Sequence, residues 1–284
     1  MALETIFCEP VLESCLKRYQ AGTPEAANCL KLCVALNTQV TSFLFMRMEE
    51  ELVESPAWTR AVEFLNELQM AGFHVYEDWL ERPEKKGQIE KFLDVFKVTP
   101  LTGEMVDYFE RHWTTFSPTA QEKILTLIEI WDRKGSRPFL LRLLEKPETH
   151  AAFHTLRVLG KVGLEGDGVV MAESVKRFPP HAKDREKYWI EACRALGELG
   201  DNTGLEALME WAAKFKLITI KKEEKTLAVR RAAIEALGHF RSKAVKTFLE
   251  GLHREGEKEL APVVNQALKS VDEKLSKSAQ PKYE

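Results

Sequence analysis

Leu227-Ala-Val-Arg-Arg-Ala-Ala-Ile-Glu-Ala-Leu-Gly238 is the stretch on which the fold turns. It reads as a helix closed by a glycine, and its last six residues have two counterparts upstream. Thr155-Leu-Arg-Val-Leu-Gly160 and Ala192-Cys-Arg-Ala-Leu-Gly197 align with Ala233-Ile-Glu-Ala-Leu-Gly238, the closing glycines lying 37 and 41 residues apart. Each glycine is expected at a helix end in the left-handed conformation, where a Cβ would be penalised. After each comes a turn and a second amphipathic stretch, at 164–175, 204–215 and 242–252. In the last of these Ala244, Val245, Phe248, Leu249 and Leu252 mark one face at helical spacing. A two-helix unit cannot bury such a face alone, so stacked neighbours must complete it.

The rhythm extends outward. Residues 124–144 fit the same register as a degenerate unit, with Trp131-Asp132 in place of Leu-Gly. Ser117-Pro118 reads as an N-cap with proline at the first helical position, opening a helix to Trp131, and a partner runs from Ser136-Arg-Pro138 to about Glu145. Further pairs are expected at 56–70 with 73–81, and at 88–97 with 103–113. No period-2 alternation is sustained anywhere; the one β-like string, Lys216-Leu-Ile-Thr-Ile220, lies between a helix and a charged run. Residues 1–55 differ, with a helix at 3–19, a Thr23-Pro24 cap and a long helix over 25–54. They are expected to cap the array or to serve as a docking or dimerisation element. The expected organisation is therefore an N-terminal helical element at 1–55, a repeat array at 56–276, and a polar tail at 277–284. The fold class is all-α, with stacked antiparallel helix pairs.

The segment 227–238, with its Val229-Arg230 pair, resembles the first helix of a HEAT repeat of the short bacterial type, as in the HEAT-like repeats of phycobilin lyases. Glu191-Ala-Cys-Arg-Ala-Leu-Gly-Glu-Leu-Gly200, followed by Asp201-Asn202 in the turn, is a second match, and the resemblance covers roughly 150–255. It implies an α-solenoid, a right-handed superhelix that binds other macromolecules along its concave side and is only sometimes an enzyme.

The chain has 284 residues, 30% of them charged and 44% apolar, which excludes wholesale disorder. The first ten residues lack a basic n-region and carry Glu4 and Glu9, unlike a secretory signal. Residues 30–48, the least polar stretch, are interrupted by Lys31, Asn37, Gln39 and Arg47 and do not read as a membrane span. Five cysteines make no paired framework, so a cytoplasmic location is expected.

Charge is the most informative functional feature. Residues 1–110 carry 19 acidic and 10 basic groups, whereas 111–284 carry 25 acidic and 31 basic. The densest basic block, 214–246, has a net charge of +7. Such polarity steers an acidic protein, a nucleic-acid backbone or an anionic surface toward the C-terminal part. A solubilising surface is the plainer reading, and Arg230 is placed to pair with an acidic group of a neighbouring repeat.

Motifs that carry chemistry are sparse. Cys8, Cys15, Cys29 and Cys33 have i, i+7 and i, i+4 spacings that could gather thiolates, but the tight Cys-x2-Cys knuckles are missing, and packing as small buried hydrophobes is expected. Cys193 falls at a core position of the repeat. His150 and His154 lack further ligands at matching spacing. The glycine-rich 160–168 follows a helix rather than a strand, which removes a phosphate-binding context. No nucleophile elbow occurs. No catalytic residue, cofactor or metal is therefore assigned.

Six tryptophans are available, and Trp189 and Trp211, flanking one repeat, are candidates for an aromatic patch. With Arg230, Arg231, Arg241, Lys243, Lys246 and His253 they form the expected partner-binding set. The expected function is a non-enzymatic scaffold or adaptor gripping a protein partner, possibly acidic. A lyase-type or cofactor-loading enzyme and a nucleic-acid-backbone binder are the alternatives.

Overall fold

The computed structural model describes residues 89–97, 103–131, 134–145, 151–178, 183–213 and 226–277, together with scattered positions between 10 and 59. The expected long helix over 25–54, the string 216–220 and the polar tail lie outside them or nearly so. Among the described residues every regular element is helical. The chain divides into two compact units, Met1–Trp131 and Asp132–Glu284.

In the first unit, α1 (Ile89–Leu93) runs into a 3-10 turn (Asp94–Lys97) and is followed by α2 (Gly103–Arg111) and α3 (Pro118–Ile130). Ser117 caps α3 as its sequence requires, its hydroxyl accepting from the Ala120 N–H at 3.1 Å, with Pro118 at the first helical position. α3 packs on α1. Lys123 ties the two together, donating to Asp94 at 2.7 Å and to the Glu90 carbonyl at 2.8 Å. Trp131, half-buried, donates its indole N–H to the Phe96 carbonyl at 2.7 Å.

The second unit contains α4 (Arg137–Leu143), α5 (Ala151–Val162), α6 (Asp167–Arg177), α7 (Arg185–Leu199), α8 (Leu205–Ala212), α9 (Leu227–Leu237), α10 (Lys243–Glu255) and α11 (Ala261–Ser276). α7 packs against both α5 and α9, and α9 packs against α11. These first helices thus form a row. The second helices alternate with them: α6 packs on α7, α8 on α9 and α10 on α11. α10 buries Val245, Leu249 and Leu252 at i, i+4 and i+7 while Lys243, Thr247 and His253 stay exposed.

The three repeat glycines do not close their helices in the left-handed conformation. Gly160 and Gly197 lie inside α5 and α7, and Gly238 has φ −62°. Their reason is crowding. A Cβ at Gly160 would stand 3.0 Å from Ala195 Cα, one at Gly197 3.0 Å from Ala236 Cα, and one at Gly238 3.2 Å from Ala267 Cα. Each glycine is the point where its helix touches the backbone of the next one in the row. The left-handed stop of α7 falls to Gly200 instead, with φ 65°. α11 lies inside the expected 56–276 array, although no helix was assigned there from sequence, and is the fourth helix of the row. Its Ala267-Leu268 matches Ala236-Leu237, and exposed Lys269 takes the glycine's place.

Candidate partner-binding surface

The turns between first and second helices are held by carboxylates. Asp201, in the turn after α7, accepts from the backbone N–H of Gly166 at 2.7 Å and Gly168 at 3.2 Å, both in the preceding turn. It also accepts from the N–H and hydroxyl of Thr203. Burial opposes the charged form of Asp201, but the hydrogen bonds from Thr203, Gly166 and Gly168 outweigh it and lower its pKa. Asp167, fully buried, accepts from Arg137 Nε at 2.7 and 3.0 Å and from the Leu164 N–H at 2.9 Å. In both cases the carboxylate is satisfied partly within its own turn and partly by a residue of the preceding unit.

Against this frame the eight candidate residues separate cleanly. Trp189 and Trp211 are 6% and 4% exposed and pack edge-to-face, ring centroids 5.7 Å apart. The Arg185 guanidinium covers the Trp189 ring at 5.5 Å. Their aromatic faces are spent inside the fold, which corrects the expectation of an aromatic patch. A large ring at a core position of adjacent helices is drawn inward by the area it buries. Arg230 is 8% exposed and pairs with Glu257 through two contacts, 2.7 and 3.2 Å, while its Nε donates to the Ala212 carbonyl at 3.1 Å. It is a structural arginine joining α8, α9 and the α10–α11 turn, not a partner contact.

Lys246, on α10, bridges to Asp272 on α11 at 2.7 Å, which raises its pKa. Its charge is already matched. Arg231, Arg241, Lys243 and His253 are exposed. Arg231 sits on α9 and makes one long contact, 3.5 Å, to the Glu259 carbonyl. Arg241 occupies the α9–α10 turn, and Lys243 and His253 the two ends of α10. No acidic residue stands in the first turn of α10. Lys243 therefore faces the positive end of its own helix dipole, the less favourable placement for a cation. The remaining lysines of the basic block, from Lys214 to Lys225, lie outside the described residues.

No family model and no curated protein matches the chain. The functional reading therefore rests on the residues themselves. Cys15, Cys29 and Cys193 are buried free thiols, and burial pushes the Cys193 thiol well above its ordinary pKa. Cys8, Cys33 and His150 lie outside the described residues, and His154 is half-buried on α5. Among the described residues no group of three or more potential ligands gathers to hold a metal, and no helix is long and apolar enough to cross a membrane.

An acidic partner for Arg230 was expected from sequence, but not that it is Glu257, and Asp167 and Asp272 were missed as partners of basic residues. The Asp201-Asn202 turn was visible beforehand. The others lie 26 to 30 residues from the cations they match, a separation that no local pattern encodes.

Proposed function

We propose that the chain is a non-enzymatic α-solenoid scaffold of HEAT-like helix pairs that binds an acidic protein partner through the exposed cations of α9, the α9–α10 turn and α10. The order of packing in the second unit supports the repeat reading: α5, α7, α9 and α11 touch in succession, each contact made at a glycine on one helix and an alanine on the next. The observation that carries the partner reading is the division among the basic residues. Arg230 and Lys246 are consumed by Glu257 and Asp272, whereas Arg241 and Lys243 stand exposed beside a helix N-terminus whose first turn carries no acidic residue. A partner carboxylate arriving there meets both side chains and the positive end of α10. Charge complementarity of this kind acts mainly on the association rate and on specificity.

The test is capture from native lysate at physiological salt, with Arg241→Glu/Lys243→Glu as the comparison. Lys246 is left intact because its loss would loosen α10 from α11. A stoichiometric acidic protein retained by the native chain and lost by the variant supports the reading. Retention of nucleic acid alone, released steeply by salt, overturns it, as does a partner held equally by both chains.

A further inference from the structure

An open pocket of about 290 Å³ lies between α9 and α11, where the row of first helices changes sign. Glu235 stands three residues before Gly238, as Arg157 and Arg194 stand before Gly160 and Gly197. Arg157 reaches across to Glu191 on the next helix at 3.2 Å. At α9 the guanidinium of that position is replaced by a carboxylate. The matching place on α11, six residues before Lys269 as Glu191 is six before Gly197, holds the buried Val263. Among the described residues Glu235, which is exposed, has no ion-pair partner.

The rest of the lining offers acceptors. Ser270 donates its hydroxyl proton to the Gly238 carbonyl at 2.8 Å, so only its lone pairs face the pocket. Gln266, an amide that can accept as well as donate, and the His239 imidazole complete the polar lining. Ala267 and Val263 make an apolar floor, closed by the tight approach of Gly238 to Ala267. α10 contributes no lining residue, so the pocket is separate from the basic surface at its N-terminus. Lys274, outside the lining, has its ammonium turned onto the Gly238 carbonyl at 2.9 Å.

We propose that this pocket binds a guanidinium or alkylammonium group, with Glu235 supplying the ionic contact and Gln266 and Ser270 the accepting oxygens. A cation with several N–H donors is the group that satisfies one carboxylate and several acceptors together. The volume falls just under the range of about 300–1,000 Å³ typical of drug-sized sites, which suits one side chain or a small amine. Because the carboxylate is exposed, the affinity is modest, with Kd of order ~1 mM.

The experiment titrates the full-length, ¹⁵N-labelled chain with an acetylated, amidated Gly-Arg-Gly peptide, with its neutral citrulline counterpart, and with agmatine. The arginine peptide should shift the backbone amides of His239 and Gln266 saturably, and the citrulline peptide should not. Glu235→Gln should weaken binding about fivefold. Glu198→Gln, an exposed carboxylate on α7, should leave it unchanged, and Lys274→Met should tighten it. A peptide that binds more tightly than agmatine assigns the group to a partner's arginine, and the converse assigns it to a free amine; both uphold a cation site. Equal shifts with citrulline, unaltered binding in Glu235→Gln, or no saturable shift from any of the three overturns it.

Discussion

Replacing Gly197 by alanine should destabilise the protein, although alanine is the better helix former. Inside a helix, alanine is favoured over glycine by about 1 kcal/mol. In α7, however, the new Cβ would lie 3.0 Å from both Cα and Cβ of Ala236, well inside the ~3.5–4.0 Å of an ordinary carbon contact. The obstructing atoms belong to the backbone and shortest side chain of α9, so no flexible group can swing aside. Forcing a methyl group into such a seam costs about 1–3 kcal/mol. The net is a loss of about 1 kcal/mol. Gly251→Ala supplies the contrast: Gly251 is also helical, yet nothing lies within 4 Å of its Cβ position. That substitution should stabilise by up to ~1 kcal/mol. Thermal unfolding followed by circular dichroism should therefore separate the two variants by about 4–8 °C. Gly200→Ala is a third arm. Its φ of 65° with open space around it predicts a loss from backbone strain alone, of about 1 kcal/mol. Gly197→Ala raising the melting temperature as much as Gly251→Ala would refute the close approach of α7 to α9.

Arg137→Met should cost about 3 kcal/mol, the lower end of the range for breaking a buried pair because Arg137 itself is a third exposed. Chemical denaturation measures it, and adding Asp167→Asn should recover part of the loss. Asp201 has a lowered folded pKa, so its contribution is complete above the unfolded carboxylate value of about 3.9 and is lost as pH falls through the folded one. Asp201→Asn should accordingly flatten the acid limb of the stability curve, and an unchanged acid limb would count against the turn network. Cys193, with its thiol pKa raised by burial, should resist a thiol reagent in the native protein and react only on unfolding, which a stopped-time titration checks.

The local devices were legible in the sequence because they act over three or four residues. Ser117-Pro118 capped its helix as read, and Thr226, whose hydroxyl accepts from the Val229 N–H, follows the same rule. What misled was glycine. A glycine after Ala-Leu reads equally as a left-handed stop or as a site of close approach, and only the neighbouring helix decides between them. α11 escaped for a related reason. Its buried stripe of Val263, Val264, Ala267 and Val271 is interrupted by exposed Asn265, Gln266 and Lys269, and the Leu-Gly ending that marks the other first helices is missing. The proposed partner surface was half legible: the cations could be counted from sequence, but which of them are neutralised depends on carboxylates supplied by other helices.

The α9–α10–α11 segment departs from the units before it in two linked ways. In the earlier turns a carboxylate, Asp167 or Asp201, ties each turn back to its predecessor. The turn after α9 has Arg241, Ser242 and Lys243 instead, and the tie is made on the opposite side, where Ser270 and Lys274 of α11 hold the Gly238 carbonyl. Along the first-helix row the change has the opposite sign: Glu235 stands where Arg157 and Arg194 precede it. Neither change is needed for packing, since the glycine-to-alanine contact is kept at Gly238 and Ala267. Stability alone would favour repeating the carboxylate tie and the Arg157–Glu191 type of bridge. A repeated frame conserved in its contacts but altered in its exposed charges at one unit is the pattern expected where recognition has been added to a fold. The segment from 226 to 277 is thus the place to look for partner contacts.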